Sequence, residues 1–390
     1  MKFRNVAVSA PSKLILHGEH AVVYGKTALA GSLDLRTRMR ICSVEDGEDT
    51  IEVDFPDIGV RRAWRASEVR AGLFEKRPPR DVRAHGNGEG GLPKDSICPH
   101  FLEVIHSFLN VDEDNLAMAS LICFFYLYST ICEEDVIPMS IKVESEIPIG
   151  AGLGSSAALS VCLAAGLLNI RAQLRGEKES EASDDFSAVC KLAYLSEKIL
   201  HGTPSGVDHS VSTYGGIIKF VPGQQVTRLR DVPKLRILLV NTNVSRNTKA
   251  VVQKVRDQFI AMPRVVKALF DAIDGISLTC LGVLEEMSER GDSRERYQRL
   301  ERLVDYNQKL LEALNVSHDS LADICETVAE QGLHAKLTGA GAGGFAYVLV
   351  PPYAPEKAVA TCKSRLLDKG YACWETDLGV SGVKVTLENS

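Results

Sequence analysis

The segment from Ile147 to Ser160, IPIGAGLGSSAALS, places Gly150, Gly152 and Gly154 on alternate positions and follows them with Ser155 and Ser156. Glycines at that spacing let a backbone come close to a ligand where a Cβ would obstruct. Between a strand and a helix, their N–H groups and the unsatisfied donors of the helix start form a cradle for phosphate. Either serine can cap the helix or turn its hydroxyl toward a phosphate-bound cation. No Gly-Lys-Ser/Thr follows, so this is not a Walker A motif, and the downstream acid of a dinucleotide fingerprint is missing. Alone, such a loop can equally be a structural turn. Two further stretches favour a ligand. SAPSKLILHGEHAVVYG gathers Lys13, His17, Glu19 and His20 among short apolar runs. KLTGAGAGGFAYVLV, from Lys336, is a second glycine nest on Gly339, Gly341 and Gly343 that leads into a strand. Three such places argue for one shared site where backbone approaches a ligand.

Two carboxylates stand out by position. Glu197 lies on the apolar stripe of Phe186, Val189, Ala193 and Leu200, at helical spacing. A carboxylate facing a core is costly unless paired, metal-bound, or carried on a helix end that emerges into water. Asp208, in PSGVDHS, could be a base or the residue of an Asx turn. Lys13, taken alone, reads as an exposed strand-edge lysine.

The elements that must position these groups are legible in outline. Strands are expected at Val6–Ala10, at Leu14–His17, across AVVYG to Gly25, and along LDLRTRMRICSVE, whose period of two suits a half-exposed strand. A strand over Ser140–Ile147 feeds the glycine loop and a helix over Ser155–Ile170 leaves it. Arg171–Asp185 is polar and expected as loop. A helix over Asp184–Leu200 stops at Gly202, placed like a glycine after a helix C-cap. Leu235–Thr242 reads as a buried strand, Ala250–Gln331 as helices, and the remainder as strand, helix (Glu356–Lys369), strand. The basic stretch Arg61–Arg83, running into HGNGEGG, reads as a solvated, mobile excursion. Leu116–Cys132 is uncharged but short for a membrane span. Asp112, Glu113 and Asp114 precede it, Glu133, Glu134 and Asp135 follow it, and no basic flank marks a side; it reads as a buried core helix.

At 390 residues the chain suits two domains, expected as 1–230 and 231–390. Its 45% hydrophobic and 25% charged content is that of a soluble globular protein, and a net charge of −6 gives no sign of a nucleic-acid partner. The ten cysteines lack zinc or disulfide spacing and read as free thiols in a reducing cytosol. The opening MKFRNVAVSAPSK is too soon interrupted for a signal peptide, and the closing ENS is not a peroxisomal SKL. A cytoplasmic protein with no membrane partner is expected.

The blocks APSKLILHGEHAVVYG, PIGAGLGSSAA, HGTPSGVD, NTNVSRNT and LTGAGAGG together resemble the signature motifs of the GHMP small-molecule kinases, in order and over nearly the whole chain. Within that superfamily they are most similar to the animal mevalonate kinases. Galactokinases share GEH but typically continue Asp-Tyr, where this chain has Ala21-Val22. The resemblance implies an α+β, two-domain GHMP kinase fold. An N-terminal domain like the second domain of ribosomal protein S5 would pack on a C-terminal ferredoxin-like α/β sandwich, with the site in the cleft. It implies ATP- and Mg2+-dependent phosphorylation of (R)-mevalonate to 5-phosphomevalonate by direct in-line transfer, in isoprenoid and sterol synthesis.

By the same resemblance Asp208 is the catalytic base and Lys13 its neighbour, able to stabilise the transition state. The nucleotide lies along Gly150, Ala151, Gly152, Leu153, Gly154, Ser155 and Ser156, with Lys13, Ser145 and Asp57 beside it. Ser156 and Glu197 are the Mg2+ ligands, a sparse set of the kind Mg2+ takes. Arg246 holds the substrate carboxylate, and Glu19, His20 and Thr248 complete that pocket. A homodimer is implied, as is inhibition by farnesyl and geranylgeranyl diphosphate in competition with ATP. Two positions depart from the pattern. Asp57 stands where animal members usually have Asn, and an ionised acid cannot donate. Ala342 replaces a common glycine, which restricts one φ angle. A non-catalytic GHMP-fold regulator would be expected to have lost the equivalents of Lys13, Glu197 or Asp208, and all three are present. A galactokinase-type sugar kinase is the alternative enzyme, disfavoured by Ala21-Val22.

Overall fold

The computed structural model describes residues 2–388 apart from 46, 78–96, 111–115, 134, 149, 178–185, 203 and 230. HGNGEGG, the Asp112–Asp114 cluster and Glu134 lie outside the described residues.

The chain opens with β1 (Val6–His17) and β2 (Ala28–Ser43), a long antiparallel pair. The two short strands expected in the first of these are one strand, bent by register shifts at Pro11/Ser12 and Ile15/His17. AVVY is not a strand. Ala21–Tyr24 is a 3-10 turn, because Gly18, His20 and Gly25 around it all take positive φ, which a strand does not accommodate. β3 (Thr50–Phe55) and β4 (Val60–Arg65) form a hairpin, followed by the short helix α1 (Ala66–Val69) and a π-helical turn at Arg70–Phe74. The basic stretch is therefore regular structure as far as Phe74, not an excursion; 78–83 lie outside the described residues. Val69 and Leu73 anchor it in the core, while Arg61, Arg62 and Arg65 stay exposed on a sheet-edge strand, where charge discourages unwanted pairing.

Helices α2 (Pro99–Leu109) and α3 (Leu116–Cys132) come next. α3 is buried at Met118 and from Ser120 to Cys132, so this apolar run is a core helix as expected. β5 (Met139–Ser145) leads through the glycine loop into α4 (Ser155–Arg175). α4 runs beyond Ile170 because Ala172, Gln173 and Leu174 are good helix formers and Gly176, at φ 70°, is what ends it. Among the described residues α4 is the one helix long and apolar enough to cross a membrane, and 72% of its apolar window is buried inside the fold. α5 (Phe186–His201), α6 (Val207–Tyr214), β6 (Ile217–Phe220) and β7 (Thr227–Arg228) complete the first half.

The second half comprises β8 (Leu235–Asn241), α7 (Thr248–Ala261), α8 (Pro263–Arg290), α9 (Arg294–Ala313), α10 (Asp319–Ala329), β9 (His334–Thr338), β10 (Phe345–Leu349), α11 (Glu356–Asp368), β11 (Ala372–Leu378) and β12 (Lys384–Leu387). All these strands belong to one sheet with the central order β4-β3-β5-β2-β11-β8-β10-β9. The halves meet at β2 and β11 through a single register pair, Leu33 with Leu378. β12 then returns to the first half and pairs with β1 over Val6 to Ser9. The architecture is α+β. Phe124, Phe125 and Leu163 fill the core of the first half, and Leu238, Phe270 and Val348 a second cluster in the other. Each such side chain contributes about 1.5–3 kcal/mol by leaving water. These two cores hold the facing loops that form the site.

Candidate active site

β1 delivers Lys13 from just past its Pro11/Ser12 shift, and the Lys13 backbone N–H donates to Leu153 O at 2.8 Å. That bond ties the strand to the glycine loop. Lys13 Nζ lies 3.1 Å from Asp208 Oδ1; the lysine side chain is 10% exposed and the aspartate 32%. Asp208 sits in the first turn of α6, whose backbone donors favour a carboxylate. Gly154, at φ 79°, rests on the pair: a Cβ there would be 3.0 Å from Lys13 Cγ and 3.7 Å from Asp208 Oδ2.

On the other side of the loop α5 presents Glu197, 3% exposed, with Oε1 lacking a hydrogen-bond partner. Burial first, then the charge of Asp208, raises its carboxyl to about 7, against smaller opposing effects of Ser156 and Lys13. Ser156 also contacts His201, Oγ to Nε2 at 3.0 Å. A buried, orphaned carboxylate oxygen beside a serine hydroxyl is a pair of hard oxygen donors, which fits Mg2+. Among the described residues no cluster of three or more His, Cys, Asp or Glu could hold a metal. Burial lowers the neighbouring His209 to about 4 and keeps it neutral.

An apolar cavity opens beside Ser155 and Ser156, lined by Phe55, Ile58, Val143, Leu159 and Leu200. Asp57 and Ser145 are on its wall, and Ser145 N–H donates to Asp57 Oδ2 at 2.6 Å. This contact needs only an acceptor, so Asp57 serves here as Asn would.

Arg246 lies between the two glycine nests. Its Nη2 donates to Ala151 O at 3.0 Å and its Nη1 to Thr338 O and Gly343 O at 3.4 and 3.5 Å. A Cβ on Gly152 or Gly344 would come within 2.4 or 2.2 Å of its guanidinium and push it aside, and both residues take a positive φ that favours glycine. Thr248 stays outside this cluster, exposed in the first turn of α7. Gly339 faces Arg246, while Cβ atoms on Gly341 and Gly343 would strike Val316 O and Val244 O. Ala342 does take the restricted angle anticipated for it, φ 56°, a left-handed conformation costing roughly 1 kcal/mol for a residue with a Cβ.

Glu19 is placed differently from the expectation. Its side chain is wholly buried, with Oε1 on Lys336 Nζ and Oε2 accepting from Asn307 Nδ2 at 3.0 Å, so both oxygens are engaged inside the fold. Burial raises Glu19 and lowers Lys336, and their mutual attraction opposes both shifts. His20 is nearly buried and donates from Nε2 to Ala340 O at 2.8 Å. Lys336, Asn307 and His201 are thus partners of the candidate residues that sequence reasoning did not single out. Asn307 was within reach: with Leu300, Val304 and Leu311 it lies on an apolar stripe of α9, the signal that singled out Glu197.

Residues 117–216 match the GHMP kinases N terminal domain and residues 285–368 the GHMP kinases C terminal domain. The chain is 40% identical to the mevalonate kinases of Bos taurus and Homo sapiens, over 97% of this chain and 94% of each of those. It is 33% identical to that of Arabidopsis thaliana, over 97% and 99%. Among solved structures, L. major mevalonate kinase in complex with R-mevalonate aligns with a TM-score of 0.65 at 21% identity, over 98% and 97% of the two chains. Lactococcus lactis galactokinase complexed with galactose aligns with a TM-score of 0.64 at 15% identity, over 97% and 95%. At those identities the structural likeness speaks for the fold alone.

Proposed function

Because the chain belongs to the mevalonate kinase family of GHMP kinases, we propose that it transfers the γ-phosphoryl group of Mg2+-ATP to (R)-mevalonate. The products are 5-phosphomevalonate, for isoprenoid and sterol synthesis, and ADP. The observation that supports this most is the Lys13–Asp208 pair, 3.1 Å apart beneath Gly154. Phosphoryl transfer to an alcohol asks for a positioned hydroxyl, an acceptor for its proton and positive charge at the phosphates. Asp208 takes the hydroxyl proton, and Lys13 stabilises charge on the attacking oxygen and the transferred group. The amides of Gly150–Ser156 cradle the triphosphate, and the cavity beside Asp57 and Ser145 receives the base. Ser156 and Glu197 would hold the metal, which when bound neutralises phosphate charge and orients the transferred group. Arg246 faces the substrate carboxylate, and His20 lines the same end.

Family membership is also the ground for reading the protein as a cytoplasmic homodimer, inhibited by farnesyl and geranylgeranyl diphosphate. Their diphosphates would compete with ATP for the glycine cradle. The test is ADP release from Mg2+-ATP with mevalonate, phosphomevalonate, galactose and homoserine as acceptors. Turnover on mevalonate alone, lost in Asp208→Asn, supports substrate and base together. Turnover on galactose would move the chain to the sugar kinases. ATP binding without turnover on any acceptor would overturn the kinase reading in favour of a regulator.

A further inference from the structure

We propose that the buried Lys336–Glu19–Asn307 network is a positioning device for the acceptor end of the site, acting through the turn that carries His20. The inference rests on the reading above that His20 lines the acceptor pocket.

Glu19 and His20 stand on a turn of the first half, yet Lys336, Asn307 and Ala340, which hold their side chains, come from the second. Lys336 of β9, with no exposed side-chain surface, donates to Glu19 and to Leu337 O at 2.7 Å, and its ammonium lies 5.2 Å from the centre of the Tyr347 ring. Asn307 of α9 holds the other Glu19 oxygen. One residue on, His20 binds Ala340 O, inside the third glycine nest. Thr338 Oγ1 donates to Ile15 O at 2.9 Å and Tyr347 Oη to Leu16 O at 3.2 Å, which fastens the end of β1 to the same two strands.

The turn is not one that relaxes into this shape unaided. His20 has φ 58° and ψ −47°, a conformation that a residue with a Cβ keeps only when its surroundings enforce it. Gly18, at φ 101°, packs so closely that a Cβ would lie 2.4 Å from Thr27 O. Buried ion pairs are poor sources of stability, since well-packed apolar residues of equal volume do as well. What this pair supplies that apolar residues would not is a directional link between the turn and β9. The consequence for His20 is chemical. A carbonyl only accepts, so Nε2 carries the hydrogen, and the neutral ring offers Nδ1 as an acceptor for a hydroxyl donor. Where that nitrogen points is set by the turn, and the turn is set by Glu19.

The experiment measures kcat and KM for mevalonate and for ATP, together with thermal unfolding, on the full chain. Removing one charge alone strands the other in the core, so the informative variant is the double Glu19→Met, Lys336→Met, which keeps volume and removes both. Asn307→Leu is the milder companion. The expected result for the double variant is a cooperative melt, an ATP KM within about twofold of the parent and a mevalonate KM raised about tenfold, as loss of one charge-assisted hydrogen bond would give. Asn307→Leu should move the mevalonate KM the same way by a smaller factor. His20→Asn separates the inference from its premise. If His20→Asn raises the mevalonate KM while the other two leave it unchanged, the network is merely structural and the proposal falls. If His20→Asn itself leaves that KM unchanged, the premise falls and the proposal with it. Should the double variant not fold, Asn307→Leu decides by the same two readings.

Discussion

With a third of its side chain open to solvent and Lys13 at 3.1 Å, Asp208 can meet an incoming hydroxyl beside a cation. Asp208→Asn keeps the size and loses the proton acceptor, so kcat should fall about 10²- to 10⁴-fold with little change in ATP affinity, read by coupled ADP release. Retention of a tenth of the parent kcat would remove Asp208 from the base role. Glu197 gives a pH test. Its carboxyl is raised from 4.5 to about 7, chiefly by burial. The native state therefore holds the extra proton between those values, and stability falls as pH rises through that window. In the metal-free protein, Glu197→Gln should melt a few degrees above the parent at about pH 8, with the gain shrinking to nothing as pH falls toward 4.5. A gain that does not change with pH would contradict it. Glu197 was legible because helical spacing put a carboxylate on an apolar stripe. Lys336 was not, because a lysine in a short strand reads as exposed and its partner lies 317 residues away.

Among the loops, the glycines divide by what their missing Cβ makes room for. A Cβ on Gly150 meets no protein atom within 4 Å, whereas on Gly341 it would sit 2.0 Å from Val316 O. Gly341→Ala should destabilise the fold by several kcal/mol, as a backbone clash at positive φ cannot be relieved by a side-chain rotation. Gly150→Ala should cost about 1 kcal/mol in stability yet weaken binding of a non-hydrolysable ATP analogue tenfold or more, if phosphate occupies the space. Calorimetric melts and analogue titration separate the two effects; unchanged analogue affinity in Gly150→Ala would show that the phosphates keep clear of that residue. These loops could be read from the sequence because positive φ is written as a residue type. The turn at Ala21–Tyr24 could not, since Val22 and Val23 favour extended backbone and the glycines on either side overrule them.

For the whole molecule, one sheet crosses from half to half at Leu33 and Leu378, and β12 crosses back to cover the edge of β1. The closing strand itself was legible from its alternating residues, but its partner was not, because pairing between distant segments leaves no local pattern. Deleting residues 384–390 should expose the β1 edge and lower the thermal midpoint of the N-terminal core, not only of the half that lost residues. Calorimetry that showed the first half unmoved would refute this. The same strand has a bearing on synthesis. β1 leaves the ribosome long before β12, and its edge stays open until translation has passed residue 387. Throughout that interval the nascent first half carries a bare strand edge, the kind of surface that chaperones shield and that aggregates when they are scarce. Maturation of the first half therefore waits on β12, and the yield of active protein answers to chaperone supply as well as to the stability of the finished fold.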